Sequence, residues 1–154
     1  MIKILFICHG NICRSTMAQF VMQDLVNKAG LNKQFYIDSM ATSKEEIGNG
    51  PHRGTVQKLK QVGVPVLQHY AKQINAGDYN KFDYIIGMDS FNIRNLNRIL
   101  NGDPKDKVYK LLSFAKSERD IADPWYTGNF DDTYNDVKEG CIALLDYLRQ
   151  EYNI

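Results

Sequence analysis

Short apolar runs alternate along the chain with longer stretches in which apolar residues recur every third or fourth position. The first pattern belongs to buried strands, the second to helices with one packed face. Ile4, Leu5, Phe6 and Ile7 form the first run. Cys8-His9-Gly10-Asn11-Ile12-Cys13-Arg14-Ser15 reads as a turn, and from Thr16 the apolar positions Met17, Phe20, Val21 and Leu25 take helical spacing up to a glycine stop at Gly30. Phe35 to Ser39 predicts a short strand, and Met40 to Gly54, with Gly48, Gly50, Pro51 and Gly54, predicts a loop. Thr55 suits the cap of a helix packed through Val56, Leu59 and Val62; Gly63 ends it, and Val64-Pro65-Val66 reads as extended. Asp78 to Lys81 is turn-like, Phe82 to Met88 is a strand with Asp89 at its end, and Ser90 suits the cap of a helix with Ile93, Leu96, Ile99 and Leu100 on one face. After the Asn101-Gly102-Asp103-Pro104 loop, Val108 to Leu112 is the last strand. Ser117 to Phe130 has neither periodicity, and from Asp131 a final helix runs through Tyr134, Val137, Cys141, Leu144, Leu145 and Leu148.

The predicted order is β-α-β-α-β-β-α-β-loop-α, the alternation of an α/β fold with a mainly parallel sheet. Ligands of such sheets sit outside the carboxyl ends of the strands, at a switch point. Cys8 and Asp89 both stand at strand ends, where chemistry is expected. The final helix is expected to cover one sheet face, with Cys141 an inert core thiol.

Composition narrows the class. With 154 residues, 44% hydrophobic and 24% charged, the chain suits one globular domain over 1–154. Nineteen basic and eighteen acidic residues leave a net charge of +1, so there is no general attraction to nucleic acid or membrane and any affinity for phosphate must be local. Three cysteines without framework spacing argue against a disulfide-stapled secreted domain. Ile4 to Cys8 is too short for the apolar region of a signal peptide, and no apolar run reaches the length of a membrane span. A reducing cytoplasm is the expected setting.

The chemistry concentrates between Cys8 and Ser15. A strand that turns tightly into a helix gathers backbone N–H groups around an anion, and the helix dipole adds about half a positive charge there. Arg14 presents a planar fork suited to two phosphate oxygens. No acidic residue precedes Asp24. The same field favours a thiolate on Cys8, placed for in-line attack on a phosphate monoester while the donors stabilise the charge in flight. The loop lacks the lysine and glycine spacing of an ATP-binding loop, and the cysteines lack the spacing of a zinc set. Protonation of a leaving oxygen needs an acid. Asp123, in Asp123-Pro124-Trp125-Tyr126, is the candidate, although that tetrapeptide read alone, without Cys8 and Arg14, is a surface turn first.

Taken together, Cys8 to Ser15 behind an N-terminal apolar strand and Asp123-Pro124 followed by two aromatics near the other end resemble the signatures of the low-molecular-weight protein tyrosine phosphatases. Ala71-Lys72-Gln73-Ile74 and Phe82 to Asp89 extend the likeness along the chain. The resemblance implies a three-layer α/β/α, Rossmann-like architecture around a mainly parallel four-stranded sheet. It implies hydrolysis of phosphotyrosine and aryl phosphates through a cysteinyl-phosphate, with Cys8 as nucleophile, Arg14 as phosphate clamp, and Asp123 as general acid and then base. His9, Gly10, Asn11, Ile12, Cys13, Ser15, Trp125 and Tyr126 would contact phosphate or substrate. Asn11 would hold the loop through Ser15, Ser39 and His69; without the resemblance His69 reads as a solvent-facing or structural histidine. Cys13 would lie within disulfide reach of Cys8, where it otherwise reads as a loop-packing residue. The implied partners are phosphotyrosine proteins or small aryl phosphates, with inorganic phosphate as product. Neither nucleic acid nor membrane, neither metal nor other cofactor, and a monomer or weak dimer complete the expectation.

Four positions depart from the family pattern. His9 replaces an apolar or small residue, Thr16 a proline, Trp125 a tyrosine or phenylalanine, and Glu45 stands where some members carry an aromatic, which would remove one wall of the substrate site. Three other readings compete. A phosphoarginine phosphatase would carry threonine where this chain has Ile12. An arsenate reductase would need further cysteines in mid-chain, and none occurs between Cys13 and Cys141. A phosphate-binding module without catalysis would not need Cys8, Arg14 and Asp123 together.

Overall fold

In the computed structural model, which describes residues 1–154, strand β1 (Ile2–Cys8) is hydrogen-bonded on both edges. The sheet order is β2-β1-β3-β4, with β2 (Phe35–Ala41), β3 (Tyr84–Gly87) and β4 (Val108–Lys110) all parallel to their neighbours. A central parallel strand is covered on both faces, which is why β1 reads as an unbroken apolar run. Alternate side chains part company: Ile4 and Phe6 enter one core with Met17, Phe20, Leu59, Val137, Cys141 and Leu144, while Leu5 and Ile7 enter another with Ile85 and Leu96. Helices α1 (Arg14–Lys28), α2 (Arg53–Val62) and α5 (Phe130–Glu151) supply the first core and α3 (Ser90–Ile99) the second. The result is an α/β/α sandwich.

From β1 the chain crosses through α1 to β2 on one side, then passes over to β3 on the other. The carboxyl ends of β1 and β3 therefore diverge, and this switch point is where parallel sheets bind ligands. Cys8 ends β1, and Asp89 follows β3 at the N-cap of α3.

Several local expectations are corrected. Val64 to Val66 makes no strand; the only pairing added to the sheet near it is a single parallel bridge between Ala41 and Gln73. The last strand stops at Lys110, and Leu111–Ala115 winds into a 3-10 turn under α5. Caps fall earlier than predicted. His52 caps α2, its Nδ1 accepting from the Gly54 N–H at 2.9 Å, and Asp89 rather than Ser90 caps α3. The aperiodic segment contains the short helix α4 (Pro124–Thr127), capped by Asp123 with proline in its first turn. Such a helix is too short to show periodicity and is specified by its cap alone.

Cys141 is fully buried, its Sγ 3.7 Å from the Ala18 carbonyl oxygen, and burial pushes its thiol far up. One residue before it, Gly140 lets α5 lie against Leu111: a Cβ there would meet Leu111 Cγ at 2.5 Å and both Cδ atoms at 3.1 Å. Alanine ordinarily favours a helix interior over glycine by about 1 kcal/mol. At this position overpacking against a buried leucine, about 1–3 kcal/mol, opposes and outweighs that gain. Gly140→Ala is therefore expected to lower the urea unfolding midpoint, where an exposed helical glycine would raise it.

Candidate active site

The turn after β1 is held by a directional hydrogen-bond chain. Asn11 adopts φ 61°, a left-handed conformation that asparagine tolerates better than most residues. Its side chain is completely buried. Asn11 Nδ2 donates to Ser15 Oγ and to Ser39 Oγ, both at 2.8 Å, and its Oδ1 accepts from His69 Nε2 at 2.9 Å and from the Lys72 N–H at 3.3 Å. Ser39 Oγ in turn donates to Gln19 Oε1 at 2.5 Å. With both protons of the Asn11 amide used on serine oxygens, the Ser15 hydroxyl proton is free to point to Cys8 Sγ, 3.1 Å away. The Asn11 N–H reaches the same sulfur at 3.3 Å. Two donors converge on one buried sulfur, and both bonds strengthen when that sulfur carries negative charge.

The loop's second cysteine is different. Burial first, then the neighbouring Cys8 and Asp123, push the Cys13 thiol up to about 12. Cys13 stays protonated.

Arg14 opens α1 and is almost wholly buried. Its Nη1 donates to Asp89 Oδ2 at 2.6 Å and to the Ile121 carbonyl at 2.9 Å, and its Nη2 lies 3.4 Å from Asp123 Oδ2. Burial works against the guanidinium charge, but Cys8, Asp89 and Asp123 prevail and hold it above its ordinary range. Nε of Arg14 is buried with no hydrogen-bond partner. A buried charged donor without an acceptor is costly, and an anion in the loop would supply one.

Asp123 caps α4, with Oδ1 accepting from the Trp125 N–H at 3.1 Å. Its segment is fastened at several points: the Ile121 N–H donates to the Met88 carbonyl, Thr133 Oγ1 to the Ala122 carbonyl, and Asp120 accepts from Lys110 Nζ and the Ser90 N–H. Trp125 and Tyr126 stand exposed at the mouth of a cleft lined also by Cys8, His9, Gly10, Ile12, Cys13, Glu45, Glu46 and Asp123. The Trp125 ring meets His52 edge-on at 5.8 Å.

The structure thus brings together every residue singled out from the sequence: the loop from Cys8 to Ser15, Asp123, Trp125 and Tyr126 around the cleft, and Ser39 and His69 behind the loop. Sequence reasoning missed Gln19, Asp89 as the partner of Arg14, and Glu46. Gln19 had a signal, since Asn11, Ser15 and Gln19 succeed each other by four residues. Asp89 had half a signal, its place at a strand end. Glu45 does not leave an open side; it lines the cleft and pairs with His9 at 3.1 Å.

A parallel sheet whose switch point carries a solvated cysteine sulfur, a buried arginine with a spare donor and a carboxylate within its reach has the equipment of a cysteine-dependent phosphatase. Comparison with known proteins gives the same answer. Residues 3–153 match the family described as low molecular weight phosphotyrosine protein phosphatase. The low molecular weight protein-tyrosine-phosphatase YfkJ of Bacillus subtilis is 38% identical over 153 residues, 98% of each chain. Its crystal structure superposes with a TM-score of 0.95, covering 98% of this chain and 96% of that one. SP-PTP, a low molecular weight protein tyrosine phosphatase of Streptococcus pyogenes, is 42% identical with a TM-score of 0.87, over 96% of this chain and 93% of its own. An arginine phosphatase of Drosophila is 31% identical with a TM-score of 0.88, over 96% of this chain and 98% of its own. The chain belongs to the low molecular weight phosphotyrosine protein phosphatase family.

His69 gives the network a measurable pH dependence. Burial first, with a smaller push from Lys72, lowers its proton affinity below the ordinary 6.5 despite the opposing pull of Asp38. The unfolded chain then binds more protons than the folded one just below pH 6.5, so stability is fully present above that value and is lost as pH falls toward the folded-state value. Between about pH 7.5 and about pH 5.5 the unfolding midpoint is expected to drop, and His69→Gln, which keeps a donor but cannot titrate, should flatten that drop.

Proposed function

We propose that the protein hydrolyses phosphotyrosine and aryl phosphate monoesters through a cysteinyl-phosphate on Cys8. The observation that carries this reading is the pair of donors, the Asn11 N–H and the Ser15 hydroxyl, converging on Cys8 Sγ. The phosphoryl oxygens take the backbone N–H groups of the loop and the unpartnered Nε of Arg14. Sulfur attacks phosphorus in line, the bond to the aryl oxygen breaks, and Asp123 gives its proton to that oxygen. Water then attacks the phosphorus, Asp123 takes a proton from it, the S–P bond breaks, and inorganic phosphate leaves. The returning thiolate is met by the Ser15 and Asn11 donors, which improves sulfur as a leaving group in this second step.

Cys13 takes no part as nucleophile, being held neutral by burial. Ile12 lines the cleft and favours packing against a flat ring, whereas the likeness to an arginine phosphatase makes phosphoarginine the substrate to compare. Because Cys8 works only as a free thiolate, the reading fits the reducing cytoplasm, with phosphotyrosine proteins as substrates. No helix is long and apolar enough to cross a membrane.

Cys8→Ser is expected to abolish phosphate release from an aryl phosphate, and turnover surviving that change would rule out the covalent route. Asp123→Asn is expected to slow poor leaving groups about 10²-fold or more and good ones much less. Equal slowing across a series of substituted phenyl phosphates would remove Asp123 from the acid role. Phosphoserine and phosphoarginine substrates are expected to turn over far more slowly than phosphotyrosine.

A further inference from the structure

Three carboxylates, Glu45, Glu46 and Asp123, line the cleft above the phosphate loop, whose floor carries Arg14. In a chain of net charge +1 this acidity is local. Asp123 is shared with Arg14, so its charge is spent within the site. Glu45 and Glu46 are not. Glu45 Oε2 meets only His9 Nε2, at 3.1 Å, and that imidazole offsets the charge only when protonated. Glu46 Oε2 accepts from the neutral amide of Asn49 at 2.6 Å.

The segment that carries these two glutamates is held in place. Their segment is tied to the catalytic loop at both ends: the Thr42 N–H donates to the Cys8 carbonyl at 3.0 Å and the His52 N–H to the Ile12 carbonyl at 2.8 Å. Between these ties, the Ser43 N–H and hydroxyl both donate to the His9 carbonyl, at 3.1 and 2.8 Å, and the Gly48 N–H donates to the Ala71 carbonyl at 2.9 Å. The stem of Glu46 lies over Gly10, where a Cβ would come within 3.4 Å of Glu46 Cγ. The backbone of the segment is thus an extension of the phosphate loop, and it carries both carboxylates at the mouth of the cleft. The phosphoryl group has its own built site, marked by the buried and unpartnered Nε of Arg14.

We propose that Glu45 and Glu46 select phosphotyrosine in a basic context: substrates that carry a lysine or arginine side chain beside the phosphorylated ring. A cationic neighbour finds two carboxylates at the mouth, and an acidic neighbour is repelled by the same pair. This rests on the phosphatase reading above and adds to it the class of peptide preferred.

The test measures kcat/KM for phosphate release from three phosphotyrosine peptides that differ only in flanking lysine, glutamine or glutamate. The wild type is expected to prefer the lysine-flanked over the glutamate-flanked peptide by about fivefold or more at low salt, a ratio that shrinks as salt is raised. In Glu45→Gln/Glu46→Gln the ratio is expected to fall toward one. A wild type that turns over all three peptides equally overturns the selection and leaves the phosphatase reading standing. A preference that survives the double substitution overturns its assignment to these glutamates. No turnover of any peptide, the glutamine-flanked one included, overturns the phosphatase reading itself and the selection with it.

Discussion

The site depends on one amide. Asn11 is held in the left-handed region, at a cost on the order of 1 kcal/mol, and repays it by donating to two serines while accepting from His69. Each such bond contributes on the order of 1 kcal/mol net, so the network outweighs the strain. The distribution of protons matters more than the sum. Because Asn11 supplies both of its hydrogens to Ser15 and Ser39, and Ser39 passes its own to Gln19, the Ser15 proton is left for the sulfur. The loop's shape and the donors on the Cys8 sulfur are therefore one arrangement, and a change at Ser39 or His69 reaches Cys8 without touching it.

Arg14 is organised on the opposite principle. Its charge is buried among Cys8, Asp89 and Asp123, and Asp89 serves two masters: Oδ2 takes Nη1 of Arg14 while Oδ1 caps α3 through the Asn92 N–H at 2.7 Å. The guanidinium plane is consequently fixed by a helix terminus on the far strand of the switch point. That rigidity keeps Nε aimed into the loop with no protein acceptor of its own. A flexible lysine in its place would turn to an available oxygen, and the preorganisation that stabilises charge in transfer would be lost.

How much of this was legible in the sequence follows from the range over which each signal acts. β1, α1, β3, α3 and α5 could be read because burial on one or two faces imposes a period on the residues themselves. Cys8 to Ser15 could be read because its chemistry is contiguous. α4 could not, since four residues hold no period and only the Asp123 cap and Pro124 specify it. Nor could Val64 to Val66 be placed, because an apolar triplet has no way of showing whether an edge is free to receive it; there β2 accepts only the bridge at Gln73. The partners of Arg14 and Glu45 lie 75 and 36 residues away. Such pairs are set by the topology and leave no local trace.

The two charge patterns of the cleft obey different rules because they are solvated differently. On the floor, the sulfur and the guanidinium lie in a medium that water does not screen, so a few fixed donors suffice to hold a phosphoryl dianion and the overall charge of the protein hardly matters. At the mouth, His9 and Glu45 are largely exposed, and each charge there acts through water and salt. Affinity for the reacting group and discrimination among its neighbours are in this way assigned to separate layers of one loop system. Substitution at the rim can redirect which phosphorylated chain is chosen while the floor keeps its chemistry, whereas substitution on the floor has no such freedom, because Asn11, Ser15 and Arg14 are each bound to partners that the fold itself requires.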